Sequence, residues 1–90
     1  MNLKELRKEI NAVDDQLLPL FLKRMELSKL IGQEKQKLGF PIENKIREAE
    51  ILQAVAEKSG NMNEYAVQLY EKLFELSKAY QAELKNQHEK

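Results

Sequence analysis

Apolar residues recur at alternating steps of three and four over residues 2–38, which is the spacing of one face of a long α-helix. Two charged residues, Arg24 and Glu34, occupy positions in this series. Gly39 and Pro41 follow it, in the pattern of a glycine just past a helix end with a proline beyond. The sequence therefore predicts a first helix of about 36 residues, roughly 54 Å long at 1.5 Å per residue. Its apolar members are Leu3, Leu6, Ile10, Val13, Leu17, Leu20, Leu27, Ile31 and Leu38.

Pro19 contradicts this helix locally, because a proline inside a helix removes one hydrogen bond and crowds the carbonyl four residues back. Either the chain breaks into two helices here, or one helix continues with a kink. Leu17 and Leu20 keep the phase set by Ile10 and Val13, which a loop would have no reason to preserve. We therefore expect one kinked helix.

Two shorter helices are predicted after the Gly39–Pro41 turn. Asn44 is suited to cap a second helix that ends near Lys58, and residues 59–61 have turn chemistry. A third helix is expected over about 63–85, followed by a polar tail over about 86–90. Residues expected to face inward are Ile46, Ala49, Leu52, Val55 and Ala56 on the second helix, and Ala66, Leu69, Tyr70, Leu73, Phe74, Tyr80 and Leu84 on the third. The expectation is an all-α fold in one domain over residues 1–90.

Composition narrows the class of protein. Fifteen basic residues balance fifteen acidic ones, so no net charge attracts nucleic acid or an anionic membrane. The chain has no cysteine, and its single histidine is His88 near the C-terminus. No membrane-spanning run or signal-peptide pattern is present. We expect a soluble cytoplasmic protein without metal or cofactor, and the opening Met1 and polar ending indicate a free-standing chain.

The first helix is too long for its own chain to cover. A compact 90-residue domain has a radius of gyration of only about 12 Å, and the two later helices are shorter than the first. A second copy of the chain, related by twofold symmetry, is the natural partner for the remaining apolar face.

Polar residues lie where the pattern calls for apolar ones. Arg24, Ser28 and Lys35 share one side of the first helix, with Arg24 and Lys35 about 16 Å apart along its axis. Two cations bracketing a small serine leave room for an anionic small molecule, because a buried cation needs a partner. Equally, Glu34 could satisfy one of these cations in a purely structural salt bridge.

Further polar positions accompany these cations on the other helices. Glu48 joins an apolar stripe beside Arg47, although a solvated pair at a helix start is common. Ser77 and Gln81 interrupt the inner face of the third helix, where a serine could simply bond its own backbone. Arg7, about 25 Å from Arg24 along the axis, could approach a site only in another copy of the chain. This inventory, without a nucleophile or metal cluster, favours binding of a compact, multiply anionic substrate by preorganised charge.

Three segments over about residues 3–81 together resemble the all-α chorismate mutases. They are LRKEINAVDDQLLPLFLKRMELSKLIGQEK, then GFPIEN followed by KIREAEIL, and finally LYEKLFELSKAYQ. The resemblance implies an intertwined six-helix homodimer that rearranges chorismate to prephenate in phenylalanine and tyrosine biosynthesis. No cofactor is implied, because the reaction is unimolecular and pericyclic.

The resemblance also implies a set of site residues. The substrate-binding residues would be Arg7 from the partner chain, Arg24, Lys35, Asn44, Arg47, Glu48, Ser77 and Gln81. Among them Lys35 and Gln81 would donate to the ether oxygen, Glu48 would accept from the substrate hydroxyl, and Arg24 would bind a carboxylate. Asn44 stands where the family usually has an aspartate, so the local negative charge is gone.

Alternative functions remain open at this point. An isochorismate-pyruvate lyase has a similar fold and also uses arginines and a lysine, although Glu48 and the Ser77 and Gln81 pair favour the mutase. A non-catalytic helical dimerisation module would explain the long helix but not the inward polar residues. A regulatory mutase-like domain of a larger enzyme is a further possibility.

Overall fold

Three α-helices make up the fold, as the sequence predicts. The computed structural model describes residues 1–88 and contains α1 (Leu3–Leu38), α2 (Lys45–Lys58) and α3 (Asn63–His88). A short 3₁₀ turn, Gly60–Met62, lies between α2 and α3. No strand occurs within the described residues, so the predicted all-α class is confirmed.

Both ends of α1 carry the expected caps. The Asn2 side chain accepts a hydrogen bond from the Glu5 amide at 2.9 Å. Gly39 adopts a left-handed conformation with φ of 72°, which costs glycine nothing. The next amide, that of Phe40, donates to the Lys35 carbonyl at 2.8 Å, so the helix closes in the manner typical of a glycine C-cap.

Pro19 lies inside α1, which continues through it without a break. The prediction of one continuous helix is therefore confirmed, the alternative of two helices separated by a loop is wrong, and the kink stays a prediction. Continuity follows from the surrounding sequence, because helix-forming residues on both sides propagate the helix at one hydrogen bond per residue.

The later helices differ from the prediction at one end. The Asn44 side chain accepts from the Arg47 amide at 3.0 Å, which confirms it as the N-cap of α2. However, α3 runs to His88, beyond the predicted end at Lys85, because polarity alone does not stop a helix without a glycine or proline. The expected polar tail is thus helical over 86–88, and its last two residues, 89 and 90, lie outside the described residues.

The third helix holds the molecule together. It packs against both α1 and α2, whereas α1 and α2 do not pack against each other. Phe74 of α3 is the one buried apolar residue within the described chain, and Tyr70 meets it edge-to-face with ring centroids 6.3 Å apart. The radius of gyration is 16.5 Å, well above the value of about 12 Å for a compact chain of this length.

A large apolar surface remains uncovered on this elongated molecule. Every residue from 1 to 20 is exposed. On the other helices Ile46, Ala49 and Leu69 were expected to face inward but are exposed in the single chain. Ile46 keeps 75% of its surface in solvent. None of the helices within residues 1–88 is long and apolar enough to cross a lipid bilayer. The exposed apolar residues of α1 are Leu3, Leu6, Ile10, Val13, Leu17, Leu18, Leu20, Leu22, Leu27, Leu30, Ile31 and Leu38.

Candidate active site

A buried polar network joins α1 to α3. Ser28, Ser77 and Gln81 are all at most 9% exposed, in a chain that buries little else. The Ser28 hydroxyl donates to Ser77 Oγ at 2.8 Å, and Gln81 Nε2 donates to the Ser28 carbonyl at 2.8 Å. Buried polar groups are costly unless they are paired, so these hydrogen bonds fix how α3 lies on α1.

Arg24 is held by the same network. Its Nη1 donates to Ser77 Oγ at 3.0 Å, and its Cζ lies 5.8 Å from the centre of the Phe74 ring. A cation over an aromatic face is attracted by the ring quadrupole. Neither contact neutralises the guanidinium, which therefore remains available to an anion.

A purely structural salt bridge between Glu34 and one of the two cations was a further possibility. Glu34 instead pairs with Lys37 at 3.6 Å on the exposed side of α1. Ser77 bonds across to α1 rather than serving its own helix alone. The structure thus shows Glu34 paired with neither Arg24 nor Lys35.

Gln81 is fixed in its orientation by close packing. Since Nε2 donates to the Ser28 carbonyl, its Oε1 faces away from that oxygen, and this buried Oε1 has no hydrogen-bond partner within the described residues. The amide keeps one further N–H, because only one is used by Ser28. Gly32 makes room for the side chain, since a Cβ at Gly32 would lie 2.9 Å from Gln81 Cγ.

Lys35 and Gln81 line the same groove at one end of the molecule. The Lys35 ammonium donates to the Ile42 carbonyl at 2.7 Å and so reaches across from α1 to the α1–α2 loop. The groove has a volume of about 560 Å³, within the range of small-molecule sites. Its charged lining is wholly basic, which is notable in a chain of zero net charge. The basic residues are Lys29, Lys35, Lys37 and Lys85.

Glu48 finds its partner on α3. The Lys78 ammonium lies 3.2 Å from Glu48 Oε1 and 3.4 Å from Glu43 Oε1. Burial lowers the pKa of Lys78, but hydrogen bonds to Glu48 and Glu43 and their charges outweigh burial and raise the pKa above its ordinary value of 10.5. Lys78 is consequently a cation throughout the acid and neutral range.

The remaining predicted site residues have no hydrogen bond to this network within the described residues of the single chain. Asn44 uses its side-chain oxygen to cap α2. Arg47 is exposed and pairs with Glu50 at 3.5 Å, not with Glu48. Arg7 lies on the exposed N-terminal half of α1. The structure thus joins Arg24, Ser77 and Gln81 in one hydrogen-bond network with Ser28, and Lys35 lines the same groove as Gln81.

Two residues that the sequence did not single out belong to this arrangement. Lys78 could have been suspected because it follows Ser77 directly and precedes Gln81 by one helical turn. Gly32 lies one turn after Ser28 on the side of α1 that carries Arg24 and Lys35, where a helix-interior glycine asks for a packing reason. Within residues 1–88, no group of acidic or histidine side chains is arranged to hold a metal ion.

Comparison with known proteins shows which family the chain belongs to. The family model for chorismate mutase type II matches residues 6–82, which is most of the chain and includes every predicted site residue from Arg7 to Gln81. The chain belongs to the chorismate mutase type II family.

Individual relatives are similar over shorter or longer stretches. A chorismate mutase of Methanocaldococcus jannaschii is 33% identical over 82 residues, covering 88% of this chain and 83% of the relative. The T-protein of Haemophilus influenzae is 46% identical over 61 residues, 64% of this chain but 16% of its own length. A bifunctional chorismate mutase/prephenate dehydratase of Aquifex aeolicus is 45% identical over 53 residues, 59% of this chain and 15% of the relative. No solved structure matches the chain.

Proposed function

We propose that the chain is a chorismate mutase, which rearranges chorismate to prephenate without a cofactor. The observation that carries the proposal is that Lys35 and Gln81 line one groove whose charged residues are all basic. Arg24, in its network with Ser77, supports it. Chorismate carries two carboxylates, and such a lining favours a compact dianion. Family membership supports the same reaction.

The hydrogen-bond donors of the site act on the substrate through their positions. The reaction is unimolecular, so the protein must hold the compact conformer of the substrate and stabilise the negative charge that grows on the breaking ether oxygen. Lys35 and the free N–H of Gln81 donate to that oxygen, and Arg24 binds a carboxylate. Lys35 exchanges its bond with the Ile42 carbonyl for one with the substrate, so little solvent reorganisation is needed.

The other residues complete substrate binding. Ser77 and Arg47 contact carboxylate oxygens, while Glu48 accepts a hydrogen bond from the substrate hydroxyl. Asn44 retains a side chain that can hydrogen-bond, although its oxygen already caps α2, and its contact with substrate is made through the amide nitrogen or the backbone.

The active form is an intertwined homodimer in the cytoplasm, each copy forming one domain over residues 1–90. The uncovered apolar face of α1 supports this arrangement, because a contiguous exposed patch of this extent is typical of a protein interface. In a twofold dimer the N-terminal half of each α1 crosses its partner. Arg7 then lies in the partner's site and binds the second carboxylate of the substrate.

The direct test is to incubate the purified chain with chorismate and to measure prephenate, while the molecular mass in solution is determined. Prephenate formation by a particle of twice the chain mass is expected. A parallel incubation with isochorismate addresses the lyase alternative, because pyruvate released from isochorismate without prephenate from chorismate would replace the mutase by a lyase.

Lys35→Ala separates the enzyme from a non-catalytic dimerisation module. Removing one transition-state donor lowers kcat by about 10²–10³-fold, while mass and helical content stay as in the wild type. A module without catalytic function would show no turnover to lose. The regulatory-domain alternative predicts that chorismate binds without being consumed, which calorimetry together with the same assay would detect.

A further inference from the structure

Lys78 joins three parts of the molecule at one point. Its ammonium, on α3, contacts Glu48 in the first turn of α2 and Glu43 in the loop before it. The other ion pairs within residues 1–88 are different, because each links residues three apart on one exposed helix face. The Lys78 and Glu48 side chains are also less exposed, at 32% and 23%.

The same turn of α3 supplies the buried network. Ser77, whose Oγ accepts hydrogen bonds from Arg24 and Ser28, directly precedes Lys78. Gln81 follows one turn later. One turn of α3 therefore fixes the α1 side of the site through Ser77 and Gln81, and the α2 side through Lys78.

Glu48 needs such a partner for electrostatic reasons. Two carboxylates that contact the same cation repel each other, and that cation offsets the repulsion. Lys78 contacts both of them, whereas Arg47 pairs with Glu50 and Lys35 of α1 donates to the Ile42 carbonyl. Lys78 is thus the cation that compensates Glu48 and Glu43 within the described chain.

We propose that Lys78 is a positioning residue for Glu48, whose carboxylate it holds against α3 in one orientation. The proposal rests on the proposed function, in which Glu48 accepts a hydrogen bond from the substrate hydroxyl. Lys78 acts through Glu48 and does not itself touch the substrate. Loss of Lys78 leaves Glu48 and Glu43 without the cation that contacts both, so the Glu48 carboxylate loses the contact that orients it.

The test compares Lys78→Met, Lys78→Arg and the matched control Lys72→Met by steady-state kinetics. Lys72 suits as a control because it pairs with Glu75 at 3.2 Å on the exposed face of the same helix. We expect Lys78→Met to lower kcat about tenfold, with a smaller change in KM.

The conservative and double variants exclude a merely structural effect. Lys78→Arg keeps the cation and should restore most of kcat, and Lys72→Met should match the wild type. In a Glu48→Gln background, Lys78→Met should lower kcat by less than twofold further, since the residue it serves is already altered. If Lys78→Met does not fold, Lys78→Gln takes its place under the same criteria.

The outcomes separate the two proposals. An active wild type in which Lys78→Met behaves like Lys72→Met, or loses the same factor with and without Glu48, overturns the positioning role alone. A wild type that consumes no chorismate overturns the proposed function, and the role of Lys78 in it. A loss of kcat that depends on Glu48 and is rescued by arginine supports the proposal.

Discussion

The two halves of α1 carry one continuous apolar repeat but have different surroundings. Over residues 3–20 every side chain is exposed. Over 21–38 the helix packs on α3, contributes Arg24 and Ser28 to the polar network and places Lys35 in the groove. The repeat is what makes both halves helical and one-sided. It does not say which part of the molecule covers each half, and in the single chain the N-terminal half is left exposed.

This difference separates the predicted site residues as well. Arg24 and Lys35 lie on the covered half and are placed by contacts within the chain, while Arg7 lies on the uncovered half, about 25 Å along the helix from Arg24. If the uncovered half is completed by a second copy, the two kinds of residue must come from different chains.

Mixing two inactive variants tests that separation with the largest expected effect. Arg7→Ala and Lys35→Ala should each lose about 10²-fold or more in turnover. In a mixed dimer, one site combines the intact Lys35 of one chain with the intact Arg7 of the other. Random exchange makes half of the dimers mixed with one good site in two, so turnover should return to about one quarter of the wild-type value.

The controls are each variant alone and the wild type, all carried through the same unfolding and refolding that exchanges the chains. Turnover of the mixture no greater than the average of the two variants would show that Arg7 does not act across the interface. The two halves of α1 would then not belong to different active sites.

On the covered half, Gly32→Ala should have an intermediate effect. The new Cβ would lie 2.9 Å from Gln81 Cγ and 3.3 Å from its Cδ, so the amide must move away from the Ser28 carbonyl. We expect kcat to fall about tenfold and the free energy of unfolding to fall by about 1–3 kcal/mol. Steady-state kinetics and urea denaturation measure the two changes.

Gly39→Ala is the matched control for this substitution. Gly39 has a φ of 72° with open space around it, so alanine there costs about 1 kcal/mol of backbone strain without touching Gln81. A variant that loses stability but keeps kcat is expected. Equal losses of kcat at both glycines would mean that stability, not the placement of Gln81, limits turnover.

On the uncovered half, Pro19→Ala should have the smallest effect on activity. Alanine restores the missing helix hydrogen bond, and we expect a gain of about 1–3 kcal/mol in the free energy of unfolding with kcat within twofold of wild type. Thermal denaturation followed by circular dichroism measures the gain. A drop in molecular mass or in turnover would instead show that the proline shapes the surface on which the second copy packs.

Much of the fold was predictable because it depends on local rules. The repeat and the glycine after Leu38 gave α1 its bounds, and Asn44 gave α2 its start. The end of α3 was predicted too early, since Lys85 is followed by polar residues that continue a helix as readily as they leave it. Likewise, the spacing of Ile46 and Leu69 predicted that both would be buried. Such spacing indicates that a helix has one apolar face, but not whether the same chain covers that face.

The candidate site also has a part that was predictable from the sequence and a part that was not. Residue type and spacing on single helices were enough to select Arg24, Lys35, Ser77 and Gln81, because apolar faces interrupted by polar groups are visible in the sequence. The partners of these groups were not visible. Arg24 bonds Ser77, Lys35 bonds the Ile42 carbonyl, and Glu48 pairs with Lys78. These contacts depend on how separate elements of the chain lie on one another.

The sequence by itself determined three helices, their order and a set of inward polar residues, since helical periodicity and capping act within a few residues along the chain. Only the tertiary structure decided that α3 packs on both other helices and that the N-terminal half of α1 remains exposed to solvent. It also decided that Ser28 bonds Ser77 and Gln81, that Gly32 packs against Gln81 and that Lys78 pairs with Glu48. The physical reason is that hydrogen bonds and close packing between helices depend on their relative rotation and depth, which no local pattern encodes.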